Sequence, residues 1–363
     1  MILGIDGTYV SSGGSLSQFI EIINYLNPRE HKFKKIIIWA PEFTLNYIYN
    51  KKWIQKEVIY SKSGLIKFFS NIFIYRNLKL FKCDVLLVFG GTSLHSFQPK
   101  VLISQNLLPF DNKVLKKYLL NYEIFNYLKF NILKFFQIFS FNKANGIIFF
   151  HKYTKNKIIK FIKHRNYKII PPLVNIKKSN HAKKNIICYV TNYQLYKNDL
   201  EVVKALDIFL NIFNYKVYFI GNQKEKNFYI VRDYLLNSKI KNKIQLINDA
   251  SYKKVIKFME KTKVFLFASS CESFPVTLLE AIMTKNFILS ANKEPMKSIL
   301  GKKAIYFDET NHKSIYSSLL KYNSLDQIYK KKTILSLFNE KKNKHHVKLI
   351  SNSIFDYLKL FLK

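Results

Sequence analysis

Between residues 264 and 283 the chain passes from strand to loop to helix within a few residues. Val264-Phe-Leu-Phe-Ala268 is an unbroken apolar run, the pattern of a strand buried on both faces. The loop Ser269-Ser-Cys-Glu-Ser-Phe-Pro275 follows, and Val276 to Met283 reads as a helix. A strand, a short polar loop and a helix N-terminus make an anion-binding corner, because the unpaired N–H groups of the first turn point at whatever occupies it. Glu272 lies just ahead of that corner and Glu280 inside the helix. A carboxylate in the first position can accept sugar hydroxyls while backbone amides hold phosphate. The plainer alternative is a buried strand and an ordinary helix that carries one surface glutamate.

The rest of the chain repeats the same alternation. Ile2–Asp6, Ile36–Trp39, Val58–Tyr60, Val85–Phe89, Val101–Ile103 and residues 146–150 are short apolar runs. Residues 15–26 between the first two have helical spacing. Strands alternating with helices predict a parallel sheet covered by helices. Pro171 and Pro172 break the pattern, which places a linker over residues 171–183. A second alternating set then begins, with strands expected at 186–190, 216–220, 244–247, 264–268, 287–289 and 304–307 and a first helix at 199–213. The expected domains are 1–175, 183–340 and a C-terminal helix over 341–363. A length of 363 residues suits two domains.

Several further segments stand at ends of expected strands. Gly7 to Gly14 is a glycine- and serine-rich turn into the first helix, where Gly13 and Gly14 let a ligand approach backbone amides. It lacks the glycine spacing and following acid of a dinucleotide site. Thr191 to Asn198 follows the first strand of the second set and contains Lys197, a mobile point charge suited to phosphate. Gly221 and Asn222 end the next strand, where ligands of open parallel sheets bind. In the first half, Gln105 and Asn106 follow Val101–Ile103, and His151 follows the run at 147–150. Gln105 and Asn106 can hydrogen-bond a sugar but not act as a base near neutral pH. His151 reaches a ligand or simply ends a strand.

These segments together resemble the retaining glycosyltransferases of family 4, which have the GT-B architecture. The resemblance rests on Ser269 to Pro275 with Glu272, and on Leu278-Leu-Glu-Ala281 with Glu280. It extends to Gly13 and Gly14, and to Lys197 before Asn198. Over 100–111 the chain is similar to O-antigen and polysaccharide mannosyl- and rhamnosyltransferases, whose strand ends in Asn-x-x-Pro-Phe, here Asn106 to Phe110. The match is strongest over 186–310 and loose over 30–140. Ser273 departs from the family's usual glycine, and Tyr193 and Gln194 stand near the place of a usual arginine. The resemblance implies an α/β, GT-B fold of two Rossmann-like domains facing across a cleft, with the C-terminal helix crossing back to the first. It implies that Glu280 binds the nucleotide ribose and Glu272 the donor sugar. Lys197 and the amides of Phe274, Pro275's neighbour Val276, and Thr277 would then neutralise the diphosphate, with Gly221 and Asn222 beside the base. The donor would be a UDP- or GDP-linked hexose. The acceptor would be a lipid-linked or polysaccharide glycan held by the first domain. No metal cluster or other cofactor is expected, and retention by a front-face route would need no enzymic base.

A net charge of +37 suggests a polyanionic partner, although a chain this rich in Lys, Asn, Ile, Phe and Tyr also fits an AT-rich coding bias. An anionic membrane surface is the expected partner. Nucleic acid is not, since no basic-aromatic binding motif is present. The aromatic, lysine-bearing stretches at 65–76 and 113–141 either lie in a membrane interface or pack on the sheet. Cys83, Cys188 and Cys271 make no disulfide framework or metal pattern. With no basic leader and no membrane-spanning run, the expectation is a cytoplasmic protein, peripheral on the inner face of the membrane. The rivals are another GT-B enzyme class such as a nucleotide-sugar 2-epimerase, whose grouped carboxylates and histidines are not found in this sequence, a basic protein that binds nucleic acid or a membrane without catalysis, and a degenerate, inactive GT-B chain.

Overall fold

The computed structural model describes the chain except for residues 11–12, 28–32, 60–73, 75, 80, 164–165, 177–180, 224 and 363. The described residues form two compact units, Met1–Asn175 with His345–Lys363, and Ile176–Lys344. Most of the stretch at 65–76 and part of the expected linker at 171–183 lie outside the described residues.

The first unit is built on a seven-stranded sheet: β1 (Ile2–Asp6), β2 (Lys35–Ala40), β3 (Ile54–Val58), β4 (Val85–Phe89), β5 (Lys100–Ser104), β6 (Gly146–Phe149) and β7 (Tyr167–Ile169). The order is β3-β2-β1-β4-β5-β6-β7 and every neighbouring pair is parallel. The central strands are apolar along their whole length because helices cover both faces. All five residues of β4, for example, are buried. Phe19 of the Gly13–Tyr25 helix packs edge-on against Phe89, with ring centres 4.9 Å apart. The C-terminal Val347–Lys359 helix packs against that same helix.

Sequence reasoning misplaced or missed the two edge strands, for one reason. β3 was expected at 58–60 but occupies Ile54–Val58, whose Ile-Gln-Lys-Glu-Val pattern is only half buried. Tyr60 lies outside the described residues. β7 is exposed throughout. A search for apolar runs finds strands sandwiched between layers and passes over edges that need no such run.

The second unit holds six parallel strands: β8 (Lys184–Thr191), β9 (Lys216–Gly221), β10 (Ile244–Asn248), β11 (Thr262–Phe267), β12 (Phe287–Ala291) and β13 (Ile305–Phe307). Their order is β10-β9-β8-β11-β12-β13. The chain runs outward from β8 through β9 to β10, then returns to place β11 on the other side of β8. That reversal leaves a crevice at the carboxyl ends of β8 and β11, the position at which open parallel sheets take ligands. Both Lys197 and Glu272 follow directly from those two strands.

Candidate functional site

β8 leads through the tight turn Leu195–Lys197 into the Asp199–Ile212 helix. β11 leads through the loop 268–275 into the Val276–Met283 helix. The strands are hydrogen-bonded neighbours, with Leu266 opposite Tyr189, so their loops emerge side by side. Ser270 N–H donates to the Tyr196 carbonyl at 2.8 Å and ties the two loops together. Asn198 completes the tie. Its backbone is left-handed, φ 56°, a conformation that Asn tolerates better than most residues. Its side-chain amide donates to the carbonyl of Ala268 at 2.7 Å and to the Ser270 hydroxyl at 2.9 Å.

This scaffold brings together two charges that are far apart in sequence. Lys197 Nζ lies 2.6 Å from Glu272 Oε1, and both side chains are largely withdrawn from solvent. The ammonium also lies 5.1 Å from the Tyr196 ring centre and 5.3 Å from that of Phe267. Burial pushes Lys197 toward the neutral form, but the Glu272 carboxylate beside it outweighs this and holds the ammonium well above its ordinary range. Lys197 is therefore a permanently charged cation inside the crevice.

Beyond the pair, the Val276–Met283 helix begins at Pro275 with no side-chain cap. The Val276 N–H is taken up by the Phe274 carbonyl at 3.0 Å, so it is not the free donor the sequence suggested, while the helix dipole adds partial positive charge at this end. Glu280 sits buried within that helix. Ser273 is buried and has no positive φ, so the backbone makes no demand for glycine there. Phe274 and Val276 are buried too.

Gly221 ends β9 directly opposite Thr191 of β8. A Cβ on Gly221 would approach the Thr191 carbonyl oxygen to 2.6 Å and the Tyr193 ring to 2.8 Å. The need for glycine is therefore set by the protein's own neighbouring loop. Asn222 follows it and is exposed.

The candidate residues of the first unit also gather at carboxyl ends of strands. Gly13 opens its helix with φ 61°, and a Cβ there would meet open space. Gly14 follows in the same helix. Both polar atoms of the Gln105 side chain are sheltered from solvent and have no hydrogen-bond partner among the described residues. An orphaned buried amide of this kind costs on the order of 1–3 kcal/mol unless something binds it. Asn106 has a local task instead, accepting from the Leu108 N–H at 3.0 Å. His151 caps the Lys152–Ile158 helix, its Nδ1 accepting from Tyr153 N–H at 3.1 Å.

Three groups escaped sequence reasoning. Asn198 was visible beside Lys197, but its structural task depends on a contact some seventy positions away. Glu309, just past the end of β13, is buried. Its Oε1 accepts from Ser270 Oγ at 3.0 Å and lies 3.4 Å from Lys293 Nζ. The acidic pair Asp308 and Glu309 just after an apolar run was its only signal. Asp6, at the carboxyl end of β1, is fully buried and its carboxyl is pushed up to about 6 by burial, against the bonds it accepts from Thr8.

Residues 174–349 match the family model described as glycosyl transferases group 1. Comparison with curated protein sequences found no match. Among solved structures, the chain is similar to a glycosyltransferase from Rickettsia africae, at 16% identity and a TM-score of 0.72, covering 100% of this chain and 98% of that one. It is also similar to Anabaena HepE in complex with UDP-glucose, at 12% identity and a TM-score of 0.74, with 99% of both chains covered. A third likeness is to WaaG, a glycosyltransferase involved in lipopolysaccharide biosynthesis, at 12% identity and a TM-score of 0.73, again with 99% of both covered. At such identities the likeness establishes architecture. Residues 174–349 thus carry the pattern of group 1 glycosyl transferases, in a chain whose two Rossmann-like parallel-sheet domains have the GT-B fold.

Proposed function

We propose that the chain is a retaining glycosyltransferase of the family 4 type. In this reading it moves a hexose from a UDP- or GDP-sugar to a lipid-linked or polysaccharide acceptor at the inner face of the membrane. The observation that carries the reading is the Lys197–Glu272 pair, held at the strand-order reversal beside an uncapped helix start. Lys197 and the start of the Val276–Met283 helix take the diphosphate, and charge stabilisation of the departing group supplies most of the rate. Glu272 turns from Lys197 to the sugar hydroxyls, and Glu280 takes the ribose. The diphosphate charge falls to these groups rather than to a metal ion. Gln105, with its unused amide, is the first-unit residue best equipped to bind hydroxyls of an acceptor. Support for a UDP-sugar comes from HepE, solved with UDP-glucose, and support for a surface-glycan acceptor from WaaG.

The test is a thermal-shift panel of UDP, GDP and their sugars. A ligand held at a hundred times its Kd stabilises the folded protein by about 2.7 kcal/mol. One nucleotide series should raise the melting temperature by several degrees, and Glu280→Ala should abolish the response. Silence across the whole panel would remove the donor site from the second unit.

A further inference from the structure

The stretch expected either to pack on the sheet or to face a membrane buries one side in the first unit and leaves an apolar side exposed. It forms two consecutive helices, Asn112–Leu120 and Ile124–Asn142. The inner face of the second is fully engaged. Phe130 and Phe141 are buried, Ser140 Oγ donates to the Ser93 carbonyl at 3.2 Å, and Gln137 Nε2 donates to that of Gly90 at 3.2 Å. The outer face is nonetheless apolar. Ile124, Phe125, Leu128, Ile132 and Phe135 are 51% to 89% exposed, and Phe139 is 37% exposed. At 100° per residue these six fall within an arc of about 100°, a continuous stripe along the helix. At its start the stripe meets Tyr122, Leu119 and Leu120, which are also exposed. A water-facing helix side normally carries charge, and patches of this kind mark surfaces that something covers.

Charge selects the occupant. From 111 to 143 the chain has six lysines against Asp111 and Glu123. Asp111 caps the first helix, and Glu123 accepts from Asn126. Lys113, Lys116, Lys129 and Lys143 are exposed around the stripe, and Lys143 Nζ lies 4.5 Å from the Phe139 ring. A second copy of a chain with net charge +37 would bring like charge against like. An anionic lipid surface accepts both the stripe and its lysine border. Among the described residues no helix is long and apolar enough to cross a membrane, so the fitting geometry is a helix lying in the interface. We propose that the Ile124–Asn142 helix, with the turn before it, is the surface by which this chain docks on an anionic bilayer. This rests on the reading of a membrane-side acceptor only for its purpose, because vesicle binding requires no turnover.

The full chain is floated with vesicles of phosphatidylcholine alone and of phosphatidylcholine with phosphatidylglycerol. Wild type should bind the anionic vesicles. The triple variant Phe125→Ser, Leu128→Ser and Phe135→Ser should bind them on the order of 100-fold less. Lys116→Gln with Lys129→Gln should lose roughly 25-fold on anionic vesicles and almost nothing on neutral ones, at about fivefold per lysine. Both variants change exposed side chains and should keep the wild-type melting temperature. Wild type that floats with neither vesicle, or a triple variant that binds as tightly as wild type, overturns the proposal. So does a wild-type dimer that the triple variant converts to monomer by light scattering, which would make a second copy the occupant. Nucleotide thermal shifts run in parallel separate the two readings, since a failed nucleotide response would leave the vesicle result standing.

Discussion

The Lys197–Glu272 pair makes an unusual demand on ligand binding. In the proposed reading, the cation assigned to the diphosphate already stands 2.6 Å from the Glu272 carboxylate. A diphosphate must therefore take Lys197 away from Glu272 before it gains the contact. Both side chains are shielded, 13% and 16% exposed, so the pair lies between a surface ion pair and a buried one. Its net coupling is then about 2 kcal/mol. A charge-assisted hydrogen bond to phosphate contributes roughly 1.5–3 kcal/mol in exchange. Glu272→Gln removes the competitor, so a nucleoside diphosphate with no sugar should bind equally well or up to roughly tenfold tighter. Lys197→Met removes the phosphate contact and should weaken the same ligand by roughly 10-fold. Turnover with the nucleotide sugar should fall in both variants, on the order of 100-fold or more for Lys197→Met. Isothermal titration with UDP and GDP reads the binding, and a sugar-transfer assay reads the rate. Glu272→Gln weakening the sugar-free nucleotide as much as Lys197→Met does would refute the exchange of partners. Unchanged affinity in Lys197→Met would remove the lysine from the phosphate site.

Three further outcomes follow from single positions. Ser273→Gly should leave nucleotide affinity within about twofold and lower stability by about 0.4–1 kcal/mol, because the backbone there has no positive φ for glycine to relieve; an increase in affinity measured by titration would show that the serine obstructs the ligand. Gly221→Ala should lower the melting temperature by several degrees, equivalent to about 1–3 kcal/mol, since its Cβ would press on the Thr191 carbonyl; an unchanged melting curve would contradict that packing. Asp6 titrates at about 6 in the fold against an ordinary 3.8, so the folded state resists its ionisation and stability is lost as pH rises from about 4 to about 6. Asp6→Asn should therefore be more stable than wild type at pH 7.5, by up to ~3 kcal/mol, with the advantage vanishing near pH 4 in denaturant titrations; an advantage independent of pH would show that the charge is not the cause.

Much of the fold was readable because parallel sheets write themselves into sequence as uninterrupted apolar runs. β1, β2, β4 and β5 in the first unit, and all six strands of the second, lie at or within a residue or two of the runs that announced them. What escaped lay where burial is one-sided. β3 and β7 stand at sheet edges and carry polar or exposed residues that a periodicity argument assigns to loops. The Ile124–Asn142 helix failed in the opposite way. Its apolar residues occupy both faces, so neither reading of its pattern excluded the other, and only exposure on the folded unit separates the residues serving the core from those left over.

The candidate site divides along the same line. Lys197, Glu272 and Glu280 were legible because each follows or enters an element whose boundary is sharp, and a charged residue at the end of a buried strand has few places to go. Their pairing was not legible, since it depends on β11 returning to the side of β8 after two strands have been laid down on the other. Asn198, Ser270 and Glu309 act only through that return: the amide of the first reaches Ala268 and Ser270, and the hydroxyl of Ser270 reaches Glu309. Each looks unremarkable in its own segment. The strand order is what turns them into a brace for the loop that carries Glu272. A substitution such as Asn198→Ala should therefore alter the Lys197–Glu272 geometry without removing either charge, and the loss should appear in turnover more than in the melting of the second unit.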